Sequence, residues 1–415
     1  MMTIHPFASY VVRDEHAARV VSPAYDAFTP EERHVYACAH PDNYVNVMRS
    51  LDEYPSSERP TLDDLLSTNA ENLQQILASD AYRYDESPCL FLYRLSIDGH
   101  VQTGVVAEIP IVDYDRGLVK KHEHTRADKE DLLTRYNEVV GVNSSPVCLA
   151  YPQSDDIDAL VNRSLGEAPL VDFVSEDGVA QTLWRIADPE LIERLTTLFA
   201  GIPIAYLTDG HHRAAAGSRY AAKRRENDAD PNDVDAFNFL LVALFPHDQL
   251  RILPYNRCVR DLNAHTVASL LDALHEGGFD VIKVVDRDAA TPRQRGEFGM
   301  YIDAQWYRLG ARTAVAPSGD DPVQALDVSI LQERILEPVF GITDSRLDAR
   351  LDYVAGVNGL AGLEERCAAG WRAAFACYPT SIEELMAVAN ADAVMPPKST
   401  WFDPKLRPGI FVCMR

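Results

Sequence analysis

The chain has 415 residues, 47% hydrophobic and 25% charged, a composition that supports a packed core and excludes wholesale disorder. Its 39 Lys+Arg against 63 Asp+Glu give a net charge of −24, which repels nucleic-acid phosphates and anionic membranes and disfavours both as partners. The length exceeds what one hydrophobic core usually organises, so two domains, or one elaborated α/β domain with an appendage, are expected, and a change of pattern beyond about Leu253 divides the chain into 1–250 and 251–415.

The first segment, MMTIHPFASYVVRDEHAARV, lacks the apolar run of a secretory signal. The longest apolar stretch, Phe237 to Phe245, broken once by Asn238, is far shorter than the roughly 18 residues a membrane helix needs. A cytoplasmic protein without membrane contact is expected. Cys38, Cys89, Cys148, Cys258, Cys367, Cys377 and Cys413 contain no C-x-x-C pair, which argues for buried small hydrophobes in a reducing compartment rather than a zinc knuckle.

In chain order, Thr29-Pro30-Glu31-Glu32 reads as a helix cap followed by Pro and acids in the first turn, and Tyr25 and Asp26 before it are candidates to line a pocket. Leu62, Leu65, Leu66, Leu73, Ile76 and Leu77 have the spacing of a helix within Thr61 to Ser79. PCLFLYRLSIDGHVQTGVVAEIPIVDY predicts a hairpin turning at Asp98-Gly99. SPVCLAYP and GIPIAYLTDG are strand-like, and the second runs into an alanine-rich helix from about His211 to Arg225. Glu226 to Asp235 reads as an exposed connector and FNFLLVALF as a buried strand. Further on, a helix is predicted over Val267 to Glu276, strands over Phe279 to Val285 and Gly299 to Leu309, and a helix over Pro322 to Val339.

The sharpest signal is the junction Asp209-Gly210-His211-His212-Arg213, where a strand ends and a helix begins. Unpaired N–H groups and the positive dipole end of a helix start attract phosphate, Gly210 permits close approach, and Arg213 can add a bidentate contact. Asp209 is placed to hold Mg²⁺ or orient a hydroxyl, and His211 or His212 could bind phosphate or shuttle a proton. The plainer alternative is that Asp209 caps the helix and Gly210 makes the turn.

A second cluster, RGLVKKHEHTRADKEDLLTRYNEV, concentrates cations around His122, Glu123 and Lys129 in an otherwise acidic chain. It is either an anion site with Glu123 as general base or a surface helix laced with ion pairs. His122 and Glu123 do not form an H-E-x-x-H metal motif. Near the end, AVMPPKSTWFDPKLRPGIFV presents Lys398, Ser399 and Thr400 on a proline-stiffened loop.

These segments, in this order, resemble the DUF1015 family: a P-x-Y-D turn with T-P-E-E, then H-E-x-T with a downstream Lys, then D-G-H-H-R, then M-P-P-K-S-T-x-F-x-P-K. D-G-H-H-R also resembles the G-x-H-R-x-x-A phosphate signature of the ParB/sulfiredoxin-like fold, which free serine kinases carry. The resemblance implies an α/β (α+β) ParB/sulfiredoxin-like core with a C-terminal α+β region whose loop returns to the site. It implies Gly210, His212 and Arg213 as nucleotide-phosphate ligands, with His122, Lys129, Lys398, Ser399 and Thr400 added from their motifs. Sulfiredoxin chemistry is disfavoured, because His211 stands where a cysteine is needed.

The expectation is therefore a phosphotransferase that works between a nucleotide (ATP or ADP, with Mg²⁺ held by Asp209) and a small hydroxylated amino acid, serine or O-phosphoserine, in either direction. Glu123, Asp209 and His211 are its expected catalytic residues. The alternative is a ParB-like nucleotide-binding switch or nucleic-acid-associated module without small-molecule turnover. A homo-oligomer is left open.

Overall fold

The computed structural model describes residues 2–227, 235–313, 315 and 321–415. Most of the connector predicted between Glu226 and Asp235 lies outside them. The chain forms two compact units, Met1–Leu250 with Pro404–Arg415, and Arg251–Asp403. The last residues, expected to belong with the C-terminal region, are instead part of the first unit.

The first unit is a mixed α/β structure built on a sheet of eleven strands among the described residues. Its main path runs Val119–Lys120, Ala205–Asp209, Val147–Tyr151, Phe239–Pro246, His100–Pro110, Tyr82–Ile97, Phe7–Val12, Phe411–Met414 and Val142–Asn143. Two further strands, Ala180–Ile186 and Val171–Val174, attach through Tyr82–Ile97. The predicted hairpin forms with Ile97 opposite His100. Asp98 and Gly99 have φ of 50° and 78°, the left-handed pair that such a two-residue turn requires.

Alternate residues of the central strands feed separate cores on the two faces. Leu240, Val242 and Leu244 join one with Leu90, Leu92, Val105 and Ala107. Leu241, Ala243 and Phe245 join the other with Phe91, Tyr93 and Val106. Burial on both faces explains why Phe239 to Phe245 is continuously apolar rather than alternating. The alanine-rich helix, His211–Asn227, lays Ala214, Tyr220 and Ala221 on the first of these cores, which small side chains permit at short range. Capping starts two N-terminal helices, the first as predicted. Thr29 and Glu32 form a reciprocal capping box on Pro30–Ala39, and Thr61 accepts the Asp64 N–H at the start of Leu62–Ala78.

The second unit holds a six-stranded sheet in the order Phe279–Lys283, Gln305–Ala311, Glu297–Ile302, Ala373–Cys377, Tyr255–Val259, Leu351–Ala355. The single strand predicted over Gly299 to Leu309 is two strands joined by a turn at Asp303 and Ala304, with φ of 44° and 57°. The helix predicted over Pro322 to Val339 shrinks to Asp327–Leu331 followed by a π-helical turn, Gln332–Leu336. Asp321 accepts the N–H groups of Val323 and Gln324, a local turn that competes with helix initiation. Five cysteines are buried, Cys367 is intermediate and Cys38 exposed, and none is disulfide-bonded. No described helix is long and apolar enough to cross a membrane.

Candidate functional site

The site begins with strand register. Val119–Lys120 runs parallel to Ala205–Asp209, with Val119 opposite Ala205 and Lys120 opposite Tyr206. Continuing that register carries His122 and Glu123 alongside the end of the Ala205–Asp209 strand, where the helix starts. His122 donates a ring N–H to the Leu207 carbonyl, and its ring meets His211 edge-on, with centroids 4.6 Å apart and planes at 87°. The loop is fastened a second time by the Arg126 N–H, which donates to His212 Nε2 at 3.1 Å. His212 is therefore an acceptor at Nε2, and its neutral form carries the proton on Nδ1.

Gly210 has φ 97°, a backbone conformation that side-chain-bearing residues avoid. A Cβ there would lie 2.7 Å from Arg213 Nη2 and 3.1 Å from its Nε. The close approach that glycine permits in this state is thus to the Arg213 guanidinium folded over the turn. That guanidinium donates from Nη2 to Asp209 Oδ2 at 2.9 Å and to the Pro146 carbonyl at 3.3 Å. Its Nε is buried without a hydrogen-bond partner among the described residues.

Asp209, expected to hold Mg²⁺, has its other oxygen occupied as well. Lys405 Nζ donates to Asp209 Oδ1 at 3.0 Å and lies 2.6 Å from Asp26 Oδ2. Burial pushes the Asp209 carboxyl up, but Lys405 and then Arg213 outweigh it and hold the acid well below the usual carboxylate range. For Lys405 the balance is the mirror image: burial favours loss of the proton, and Asp209 and Asp26 together hold the ammonium above its ordinary value. The result is an alternating chain of charges, Asp26, Lys405, Asp209 and Arg213, at the mouth of the strand–helix turn. A metal at Asp209 would have to displace a cation.

Both buried histidines are kept neutral. Burial lowers His122 to about 4, opposed by the Leu207 hydrogen bond and by Asp209. His211 is driven well below its ordinary value by burial and by His122 beside it. At neutral pH His211 is therefore a neutral imidazole. Burial also lowers His212; Glu130 opposes, and Lys129 and Arg126 add to the effect.

The cationic cluster divides between the two readings it allowed. Arg126 pairs with Asp128 at 2.7 Å, and Arg135 with Asp63 at 3.1 Å and Glu138 at 3.0 Å, the ion-paired surface helix of the plainer view. Lys129 is exposed on the first turn of Ala127–Val139, near enough to act on His212. Glu123 is exposed, yet one of its oxygens and one nitrogen each of His122 and His211 lie within 4.8 Å of one another.

Lys398, Ser399 and Thr400 belong to the second unit. Lys398 Nζ sits 3.5 Å from the Tyr255 hydroxyl and over that ring. Ser399 is buried and donates its hydroxyl to the Pro396 carbonyl at 2.6 Å. Lys405 is the participant that residue-by-residue reasoning passed over. It is the final Lys of the M-P-P-K-S-T-x-F-x-P-K motif, so the signal was present but was assigned to its first Lys.

Fold and site together define a mixed α/β protein with a charge-dense strand–helix junction. The chain belongs to the DUF1015 family, described as a protein of unknown function, whose model matches residues 4–329. No curated protein matches it. Among solved structures, a free serine kinase in complex with AMP aligns with 72% of this chain and 86% of its own, at 12% identity and a TM-score of 0.34. A mutant of a free serine kinase in complex with ADP aligns with 72% and 87%, at 14% identity and TM-score 0.34. SbnI with a C-terminal truncation, from Staphylococcus aureus, aligns with 74% and 85%, at 10% identity and TM-score 0.36.

Proposed function

We propose that this protein transfers a phosphoryl group between a nucleotide and a small hydroxylated amino acid, with serine and O-phosphoserine as the pair. The observation that carries the reading is the Asp209–Arg213 turn. There Arg213, with a buried unpartnered Nε, lies over a positive-φ glycine at the start of a seventeen-residue helix. The N–H groups of a first helical turn have no acceptor within the helix and favour an anion. His212 Nδ1–H, left over from the Arg126 contact, and Lys129, which acts on His212, are further donors beside the turn.

Phosphoryl transfer asks a protein mainly for positioning and charge neutralisation. In the forward direction the serine hydroxyl oxygen attacks the terminal phosphorus of the nucleotide. Its bond to the bridging oxygen breaks, and the hydroxyl proton passes to Glu123. The products are O-phosphoserine and the nucleotide shortened by one phosphate. Mg²⁺ accompanies the nucleotide phosphates, while Asp209 serves to hold Lys405 and Arg213 in place.

A ³¹P NMR time course with Mg²⁺, serine and ATP or ADP, run beside O-phosphoserine with ADP or AMP, tests the reading. New phosphoserine or nucleotide resonances that vanish in Arg213→Ala, with the circular-dichroism spectrum unchanged, are the expected result. Undiminished turnover in Arg213→Ala rules this junction out.

A further inference from the structure

We propose that His122, Glu123 and His211 bind a divalent transition-metal ion, with zinc the best match to their donors. The proposal does not depend on phosphoryl transfer, because metal occupancy is measurable without a nucleotide.

Three independent features converge. The first is the approach of two imidazole nitrogens and one carboxylate oxygen to within 4.8 Å of one another, although the residues come from a loop and from a helix start. Zinc bonds of about 2.0–2.1 Å in a tetrahedron place donors roughly 3.3 Å apart. The remaining closure falls to Glu123, whose side chain is exposed while the two rings are buried.

The second is an unmet requirement. His211 is only 6% exposed, and its Nε2 is buried without a hydrogen-bond partner among the described residues. A buried polar atom in that condition costs free energy and calls for an explanation. A cation at the cluster supplies the missing partner.

The third is the support behind His122, 2% exposed, whose ring N–H goes to the Leu207 carbonyl. Metal-ligating histidines usually donate their second ring N–H to a carbonyl or carboxylate, which fixes the tautomer and aims the other nitrogen's lone pair at the metal.

Donor chemistry selects among ions. Two nitrogens and one oxygen suit zinc and its first-row neighbours, whereas Mg²⁺ prefers oxygen throughout. Three protein ligands with solvent on the Glu123 side leave a fourth position for water or a substrate oxygen. A carboxylate bound through one oxygen keeps its second for a proton, so the site is compatible with Glu123 as base.

The test uses the full chain, stripped with chelator and titrated with Zn²⁺ by calorimetry, and with Co²⁺ followed by its ligand-field absorption. One zinc per chain and a tetrahedral cobalt spectrum are expected, with no heat from Mg²⁺ at the same concentration. Glu123→Gln and His211→Ala should each weaken zinc binding about 10- to 100-fold or more, while the surface variant His16→Gln and the phosphate-site variant Arg213→Ala bind as the parent does. Because Glu123 is exposed, its variant reports on the site even if His211→Ala fails to fold. Zinc bound equally by the parent and Glu123→Gln, or no binding of either ion, overturns the proposal. Full zinc binding by a protein inactive in every phosphoryl assay would count against the function proposed above and leave this site standing.

Discussion

Asp209 in the first unit and Asp327 in the second stand beside helix starts, and their surroundings drive them in opposite directions. Asp209 faces Arg213 at 2.9 Å and Lys405 at 3.0 Å and stays ionised far into acid. Both oxygens of Asp327 take the Gly296 N–H at 2.9 Å, and burial, with Glu384 adding to it, pushes that carboxyl up to about 7. The nearby cation, Arg295, is committed to Glu384 at 2.8 Å. One backbone donor does not offset the desolvation of a carboxylate, whereas two aimed cations do. The first unit thus concentrates charge where chemistry is proposed, and the second uses its acid to tie a turn.

Removing a cation breaks the contrast most sharply. Lys405→Met leaves Asp209 with Arg213 alone. It should abolish phosphoryl turnover and cost about 1–3 kcal/mol in a urea titration, the modest end for an ion pair because part of Asp209 remains in water. Added to Asp209→Asn, the same change should cost far less than the sum of the two, and strict additivity would show that the pair does not couple.

The next effect is on pH dependence. The folded carboxyl of Asp327, near 7, lies above its unfolded value of about 4, so the native state holds the extra proton between those limits. Stability then falls as pH rises through that window and is flat above it. Asp327→Asn keeps an oxygen for Gly296 and should flatten the profile, gaining about 1–3 kcal/mol at pH 8. Asp209 has the opposite sign: its contribution is complete above about pH 4 and is lost as pH falls through its depressed folded value. Urea midpoints at about pH 3, 5 and 8 for the parent and both Asn variants separate the two behaviours, Asp327 between the upper two and Asp209 between the lower two, and a parallel shift of all three would contradict them.

Smallest is Gly210→Ala. The strained φ and the contact with Arg213 should cost about 1–2 kcal/mol and move the guanidinium enough to weaken phosphate binding, read by ³¹P titration. Unaltered phosphate affinity would mean that Arg213 is not held against the turn.

Legibility followed the range of the interactions. Asp98-Gly99, the Thr29 capping box and the strand–Gly–helix order of the Ala205 to Arg213 segment were readable because each depends on residues a few positions apart. The split at Asp303-Ala304 was not, because Asp303 is followed by alanine rather than by the glycine that marks Asp98-Gly99, and the pairing of Glu297–Ile302 with Ala373–Cys377 decides it. At the site, the sequence marked Glu123, His122, Gly210, His211, His212 and Arg213, but it could not say that Asp209 would be claimed by Lys405, 196 positions away.

The sequence by itself determined a folded acidic chain, its family, the hairpin, the Thr29 cap and the strand–glycine–helix junction, since composition and short-range hydrogen bonding need no tertiary partner. The tertiary structure decided which unit the last residues join, which cations Asp209 keeps, and that His122 and Glu123 meet His211. Those outcomes depend on which distant segments share one sheet edge, and register and burial set that only after the chain has closed on itself.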